Sequence, residues 1–262
     1  MRQKFFLVIC GLIIAGSTAF SKTPAEINNI RFERKTFNKV TDKADVLLSY
    51  PVFTCPEKPL IADSLNNIVN KYMGFLSYSK DNGKYIKREA KDILVEYEKM
   101  TDEFTEDLGI KMELIRRVEL ILNDYGMVSL EYNEYSFTGG AHGNSFQLYT
   151  VYDLIGERRV RLPDLFNKGF MPKLTEIGEG YFRALRNHEP TTDLEEAGYW
   201  FENNKFALPN NFFISTNGIG FTYNQYEIAS YADGIITVLI PFYELKDLIS
   251  KSSPLRRITS SN

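Results

Sequence analysis

The chain reads as an α+β protein, with antiparallel sheets and segregated amphipathic helices in two small sub-domains. Three observations predict this. Apolar residues recur on a 3.6-residue period in separate stretches, they alternate with a period of two through a long central stretch, and no strand–helix–strand regularity joins the two patterns.

Ile30 to Phe37 sets Ile30 and Phe32 against charged neighbours, and Val46 to Phe53 is a second apolar run interrupted by Pro51. Ile61, Leu65, Ile68, Val69 and Tyr72 then share one helical face. A turn at Asp81-Asn82-Gly83 separates them from a second amphipathic helix, which carries Ala90, Ile93, Leu94, Tyr97 and Phe104 and stops near Gly109. From Met112 the period changes to two, with Met112, Leu114, Val118, Leu120 and Leu122 on one face. Asp124-Tyr125-Gly126 turns the chain. Val128, Leu130 and Tyr132 alternate, and Tyr135 and Phe137 slip phase by one, which predicts a bulge inside that strand. Phe146, Leu148 and Tyr152 resume one face, so the glycine-rich segment between these runs is the connection of a β-hairpin.

Beyond the turn at Ile155-Gly156-Glu157 comes a short strand at 158–162, with Asp164 placed to cap the next segment. Leu174, Ile177, Tyr181, Phe182 and Leu185 mark a third helix. Asn211 to Thr216 and Gly220 to Tyr223 read as a hairpin through Asn217-Gly218, Gly234 to Pro241 as the last strand and Tyr243 to Ile249 as a closing helix. Lys22–Asn29 and Ser252–Asn262 read as disordered ends. The organisation expected is a signal peptide at 1–21, an N-terminal domain at 22–145, a C-terminal domain at 146–251 and a tail at 252–262.

Arg2 and Lys4 precede an apolar run from Phe5 to Ala19, and Ala19-Phe20-Ser21 offers small residues for cleavage, the pattern of a secretory signal peptide. The run is about fifteen residues, short of the roughly twenty that a membrane span needs. A cut after Ser17-Thr18-Ala19 fits nearly as well, and an uncleaved anchor is the alternative. Cys10 follows the bulky Ile9, where a lipoprotein would carry a small residue. The expectation is an exported chain, periplasmic or extracellular, with no transmembrane segment after cleavage. Loss of residues 1–21 removes Arg2 and Lys4, which leaves 29 basic against 34 acidic residues, a net charge of −5. That balance argues against nucleic acid and suits a basic partner. Cys55 would be the one cysteine left; it has no disulfide partner and no evident base to activate it, so it reads as structural.

Two segments stand out. Thr138-Gly139-Gly140-Ala141-His142-Gly143-Asn144 lies between two strands, and Tyr226-Glu227-Ile228-Ala229-Ser230-Tyr231-Ala232-Asp233-Gly234 lies downstream. The glycines permit positive φ and close approach, either in an anion-binding nest or in a tight hairpin packed against another segment. The dinucleotide fingerprint and the phosphate-binding loop both need a helix after the glycines, and a strand comes next here. His142 reads as a structural hydrogen-bonding group, a partner contact or a catalytic base. A zinc site needs three or four ligands at defined spacing, and neither metal nor cofactor is expected from two histidines 46 residues apart. Glu227, among tyrosines, reads as an anchor held by backbone N–H groups or an ion pair, or as an acid–base group lacking a distinctive second carboxylate. Tyr132, Tyr135, Tyr149 and Tyr152 offer either a stacking face or core packing.

These residues carry a resemblance. Tyr132 to Tyr135, Thr138-Gly139-Gly140-Ala141-His142-Gly143, Asp153-Leu154 and Leu162-Pro163-Asp164-Leu165-Phe166 resemble the exported bacterial domain pair found in the anti-sigma factor RsiV and the peptidoglycan deacetylase PdaC. Asn211-Phe212-Phe213, Phe221, Tyr223, Tyr226-Glu227-Ile228-Ala229, Tyr231-Ala232, Gly234 and Ile240-Pro241-Phe242 resemble the C-terminal domain of that pair. The resemblance implies an α+β fold for both domains and, by way of the lysozyme-sensing member, extracytoplasmic binding. No cytoplasmic segment and no deacetylase domain are expected in this chain, so sigma-factor signalling and deacetylation are not expected of it. The expected function is a non-enzymatic binding module of the envelope, recognising cell-wall glycan (peptidoglycan fragments) or a wall-cleaving enzyme such as lysozyme. The binding residues would come from Thr138, Gly139, Gly140, His142, Gly143, Asn144, Tyr226, Glu227 and Tyr231. The alternatives are a hydrolase-like enzyme using His142 and Glu227, or a structural envelope protein without a ligand.

Overall fold

A computed structural model describes residues 27–79, 83–104 and 109–260. The expected signal peptide and the Asp81-Asn82 part of the predicted turn lie outside the described residues. Strands β1 (Arg31–Val40) and β2 (Ala44–Thr54) pair first, followed by helix α1 (Pro59–Met73), a small hairpin of β3 (Leu76–Ser79) and β4 (Lys84–Lys87), and helix α2 (Ala90–Phe104). Strands β5 (Met112–Asp124), β6 (Met127–Phe137), β7 (Asn144–Asp153) and the two-residue β8 (Arg158–Arg159) complete a six-stranded sheet in the order β1-β2-β5-β6-β7-β8. Only β2 and β5 run parallel, as the crossover through α1 and α2 requires. α1 starts on Pro59, where the missing N–H costs nothing, and ends at Gly74 with φ 78. Its buried face, Ile61, Leu65, Ile68, Val69 and Met73, closes over Val46, Leu48, Leu114, Val118 and Leu130 in the first core.

The second half holds the short α3 (Leu162–Leu165), α4 (Met171–Leu185), strands β9 (Phe212–Ile214), β10 (Gly218–Tyr223) and β11 (Ile236–Pro241), and the single-turn helices α5 (Phe242–Leu245) and α6 (Arg256–Thr259). The strands form an antiparallel sheet in the order β11-β10-β9, with α4 against β11. This core is aromatic at its centre. The ring of Phe182 lies 4.9, 5.6 and 5.3 Å from those of Tyr199, Phe201 and Phe206. The α+β class is as expected from the sequence.

Four local expectations are corrected. The register shift falls in β5, between Leu120 and Leu122, while β6 pairs without a break from Leu130 to Phe137. The bulge turns Leu122 over into the second core, away from Leu120 and the first. The apparent slip in β6 arises because both faces of the sheet are covered: Met127 enters the second core and Val128 the first, so alternation is lost without any bulge. Tyr132 and Tyr152 are buried toward the helices, whereas Tyr135 and Tyr149 occupy positions of opposite parity in the ladder, so the four tyrosines share no single face. The closing helix is one turn rather than seven residues. Asp164 caps its own helix from the third position, its Oδ2 accepting from the Arg161 N–H at 2.8 Å.

The ends are packed where they are described. Leu255 and Ile258 are fully buried, and the Arg257 guanidinium donates to Asp153 at 2.7 Å and to the Gly126 carbonyl at 3.2 Å. Asn28 accepts from the Gly126 N–H at 2.8 Å. β7 runs from Asn144 to Asp153 in unbroken register with β6, so the first sheet continues past residue 145.

Candidate functional site at the domain junction

Among the described residues, the outer edge of β7 lacks a strand partner between its start and the short β8. Its backbone groups are paired by side chains of the second domain instead. At the loop end, the Tyr231 hydroxyl donates to the Gly143 carbonyl at 2.8 Å. The Ser145 N–H donates to Gln225 Oε1 at 2.9 Å, the Gln147 N–H to Asn224 Oδ1 at 2.7 Å, and the Tyr149 N–H to Asn211 Oδ1 at 3.0 Å. The carboxamides of Asn211 and Asn224 also donate to the Gln147 carbonyl, at 2.9 and 3.0 Å. Every second residue from 143 to 149 is thus engaged, as a neighbouring strand would engage it. Deeper in the junction, the Ile214 N–H donates to the buried Ser129 hydroxyl at 3.2 Å.

Glu227 belongs to this system. Its Oε2 accepts from the Asn224 N–H at 2.9 Å and its Oε1 from Asn224 Nδ2 at 3.4 Å, which orients the carboxamide on Gln147. Glu227 as a residue is exposed. Gly143 is buried, and a Cβ there would fall 2.3 Å from the Tyr135 ring, so only glycine lets the loop close on that ring. Gly139, at φ 90, supplies the loop's positive φ. Thr138 and Gly140 are exposed, and Asn144 begins the ladder opposite Ser136.

The two segments singled out in the sequence meet here. The imidazole of His142 stacks on the Tyr231 ring, with centroids 3.8 Å apart at 24°, and Tyr226 follows at 5.8 Å from Tyr231. His142 is exposed and its Nδ1 lies 3.0 Å from the Gly143 carbonyl. Tyr226 holds φ 64 and is 53% exposed. The one tryptophan, Trp200, is 54% exposed, and its backbone N–H donates to the Ile228 carbonyl at 2.8 Å, which ties it beside the same segment. No hydrogen bond or ring contact joins His142 to Glu227 among the described residues. The sequence reading missed Trp200, Asn211 as a contact residue, Asn224 and Gln225. A single tryptophan in the whole chain was the available signal for the first; the others carry none.

Burial shapes the polar groups nearby. The Tyr149 phenol donates to Glu131 at 3.2 Å, and burial pushes its pKa up to about 12. Burial also raises the Glu131 carboxyl above its usual range. Cys55 is buried, its thiol 3.9 Å from Glu57. Among the described residues no three His, Cys, Asp or Glu side chains converge as metal ligands would, and no helix is long and apolar enough to cross a membrane.

The fold and junction define a two-domain α+β class in which the second domain caps a strand edge of the first. Residues 37–145 match the family described as Deacetylase PdaC, and residues 163–243 match the one described as Protein of unknown function (DUF3298). The two matches support a PdaC-like domain followed by a DUF3298 domain, and the glycine loop with His142 ends the first match while Asn211, Asn224 and Tyr231 lie in the second. Solved structures share the fold. A member of the DUF3298 family from Bacteroides fragilis is 21% identical with a TM-score of 0.67, covering 90% of this chain and 99% of its own. A DUF3298 family protein from Pseudomonas aeruginosa is 18% identical with a TM-score of 0.56, covering 86% of this chain and 94% of its own. No curated protein matches the chain.

Proposed function

We propose that the chain is an exported, non-enzymatic binding module of the bacterial envelope, recognising cell-wall glycan or a wall-cleaving enzyme such as lysozyme. One observation carries this: the exposed rings of His142 and Tyr226 flank the half-buried Tyr231 in an aromatic row on the junction between the two domains. Holding a non-glycine residue at φ 64 costs about 1 kcal/mol, and here that cost keeps an aromatic ring in solvent. Exposed, rigid aromatics are the side chains on which binding energy concentrates, and their faces match the apolar C–H faces of sugars. Glu227 serves this surface by positioning Asn224 rather than by proton transfer.

Residues 22–262 titrated with soluble peptidoglycan fragments and with hen lysozyme at physiological salt test the reading, with Trp200 fluorescence as the signal. Saturable binding to either, weakened at least about tenfold in Tyr226→Ala, supports it. Absence of binding to both ligands sinks it.

A further inference from the structure

A cavity of about 630 Å³ lies away from the aromatic junction, at the far end of the second sheet. Three elements build it. The Thr216-Asn217 turn between β9 and β10 forms one rim, the chain from Pro241 through α5 to Ile249 forms the floor, and α6 forms the opposite wall through Arg256 and Thr259. Phe242 and Ile249 on the floor are buried side chains, and Tyr243 and Pro241 extend the apolar lining. The lining includes two cations, Lys246 and Arg256, and no acidic residue.

The two cations differ in what holds them. Arg256 is fixed by donating from Nε to the Ser250 carbonyl at 3.2 Å and from Nη2 to the Ile249 carbonyl at 2.9 Å, which leaves Nη1 without a hydrogen bond among the described residues. Lys246 is exposed and forms no ion pair or hydrogen bond among them. Glu244, its near neighbour in sequence, accepts from Tyr181 at 3.4 Å and does not line the cavity. In a chain with a negative net charge, an apolar cavity edged by cations alone is a local reversal of sign. Its volume is within the roughly 300–1,000 Å³ of small-molecule sites, and an apolar bed with a few convergent polar groups is their usual lining.

We propose that this cavity binds a small amphiphilic anion: an apolar body laid on Phe242 and Ile249, with a carboxylate held by Lys246 and by Arg256 Nη1. A singly charged head suits the site, because one unpaired ammonium and one guanidinium edge are the donors it offers. The site is separate from the aromatic junction, so the two readings stand or fall independently. Since α6 forms one wall and its neighbour Arg257 is bound to Asp153 and Gly126 of the first domain, an occupant would also brace the C-terminal tail across both domains.

The test is calorimetric titration of the purified protein with octanoate, compared with neutral octanamide and with acetate. Octanoate should bind saturably, octanamide at least about tenfold more weakly, and acetate not measurably, because head and body each contribute. Lys246→Glu, at an exposed position, should weaken octanoate at least about tenfold and leave octanamide unchanged, with an unaltered melting midpoint. Thr216→Trp, which blocks the cavity from its exposed rim, should weaken both. Absence of saturable octanoate binding overturns the proposal, as do equal affinities for octanoate and octanamide or an unaffected Lys246→Glu variant.

Discussion

The two long edges of the six-stranded sheet are protected in different ways. β1 pairs only with β2 among the described residues, and its sequence carries Arg31, Arg34, Lys35 and Lys39 along an almost wholly exposed strand. Charge on an edge strand discourages a second chain from adding to it. β7 has the reverse character: its edge is occupied, residue by residue, by Asn211, Asn224, Gln225 and Tyr231 of the second domain. An edge defended by charge needs no partner, whereas an edge satisfied by carboxamides makes one domain a condition for the other. The residues that looked functional in the sequence, Gly143, Glu227 and Tyr231, prove to be built into that second kind of edge, and only His142 and Tyr226 beside them face solvent with their rings.

The comparison breaks most visibly at Asn224. Asn224→Ala removes the acceptor of the Gln147 N–H and a donor to the Gln147 carbonyl in a part-buried setting, while the backbone N–H at 224 keeps its bond to Glu227, and the expected loss is about 2–3 kcal/mol. A urea midpoint that falls with an unchanged slope would record it; a loss below about 0.5 kcal/mol would show that the β7 edge can do without its caps. Ser129→Ala tests the deeper junction. The Ile214 N–H would be left buried without an acceptor, for about 1–2 kcal/mol by the same measurement.

How much of this was legible depends on where each partner lies. Local periodicity placed α1, α2, α4 and the hairpin β9–β10, because each shows its core-facing residues within one window. The glycine requirement at the loop was visible too, although its cause, the Tyr135 ring against Gly143, was not. The β7 edge could not be read. Asn211, Asn224 and Gln225 are ordinary polar residues until their partners, 62, 77 and 80 residues away, are known. β6 misled for a related reason: a strand covered on both faces loses the alternation that announces a strand with one face buried. α6 was missed because one helical turn, with Leu255 and Ile258 as its only anchors, is too short for a period to show.

Two further changes sharpen the contrast around β7. His142→Ala removes the stack on Tyr231 and is expected to cost about 0.5–1 kcal/mol, less than Asn224→Ala because the imidazole is exposed. A greater loss than at Asn224 would make His142 the structural centre of the junction. The Tyr149 side chain adds a pH signature. Its phenol is neutral in the fold up to about pH 12, against about 10 when unfolded, so its contribution is complete below pH 10 and is lost as pH rises toward 12. The urea midpoint of Tyr149→Phe should therefore decline less than that of the wild type between about pH 9 and about pH 11. Equal declines would place the alkaline sensitivity elsewhere.

At the other edge the expected effect on stability is the smallest and the effect on association the clearest. Lys35 pairs across from Tyr50 and Lys39 from Val46, both on a strand whose outer backbone groups have no partner among the described residues. Replacing both with valine raises strand propensity and removes two charges, and the folded state should change by no more than about 0.5 kcal/mol. The same exchange takes away what keeps a flat, unpaired edge from meeting another copy. Sedimentation velocity of Lys35→Val/Lys39→Val should show concentration-dependent dimers or larger species that the wild type lacks. A variant that stays monomeric at the same concentrations would mean that strand twist or the neighbouring Arg31 and Arg34 already protect β1, and that the two edges differ less in their defence than their side chains suggest.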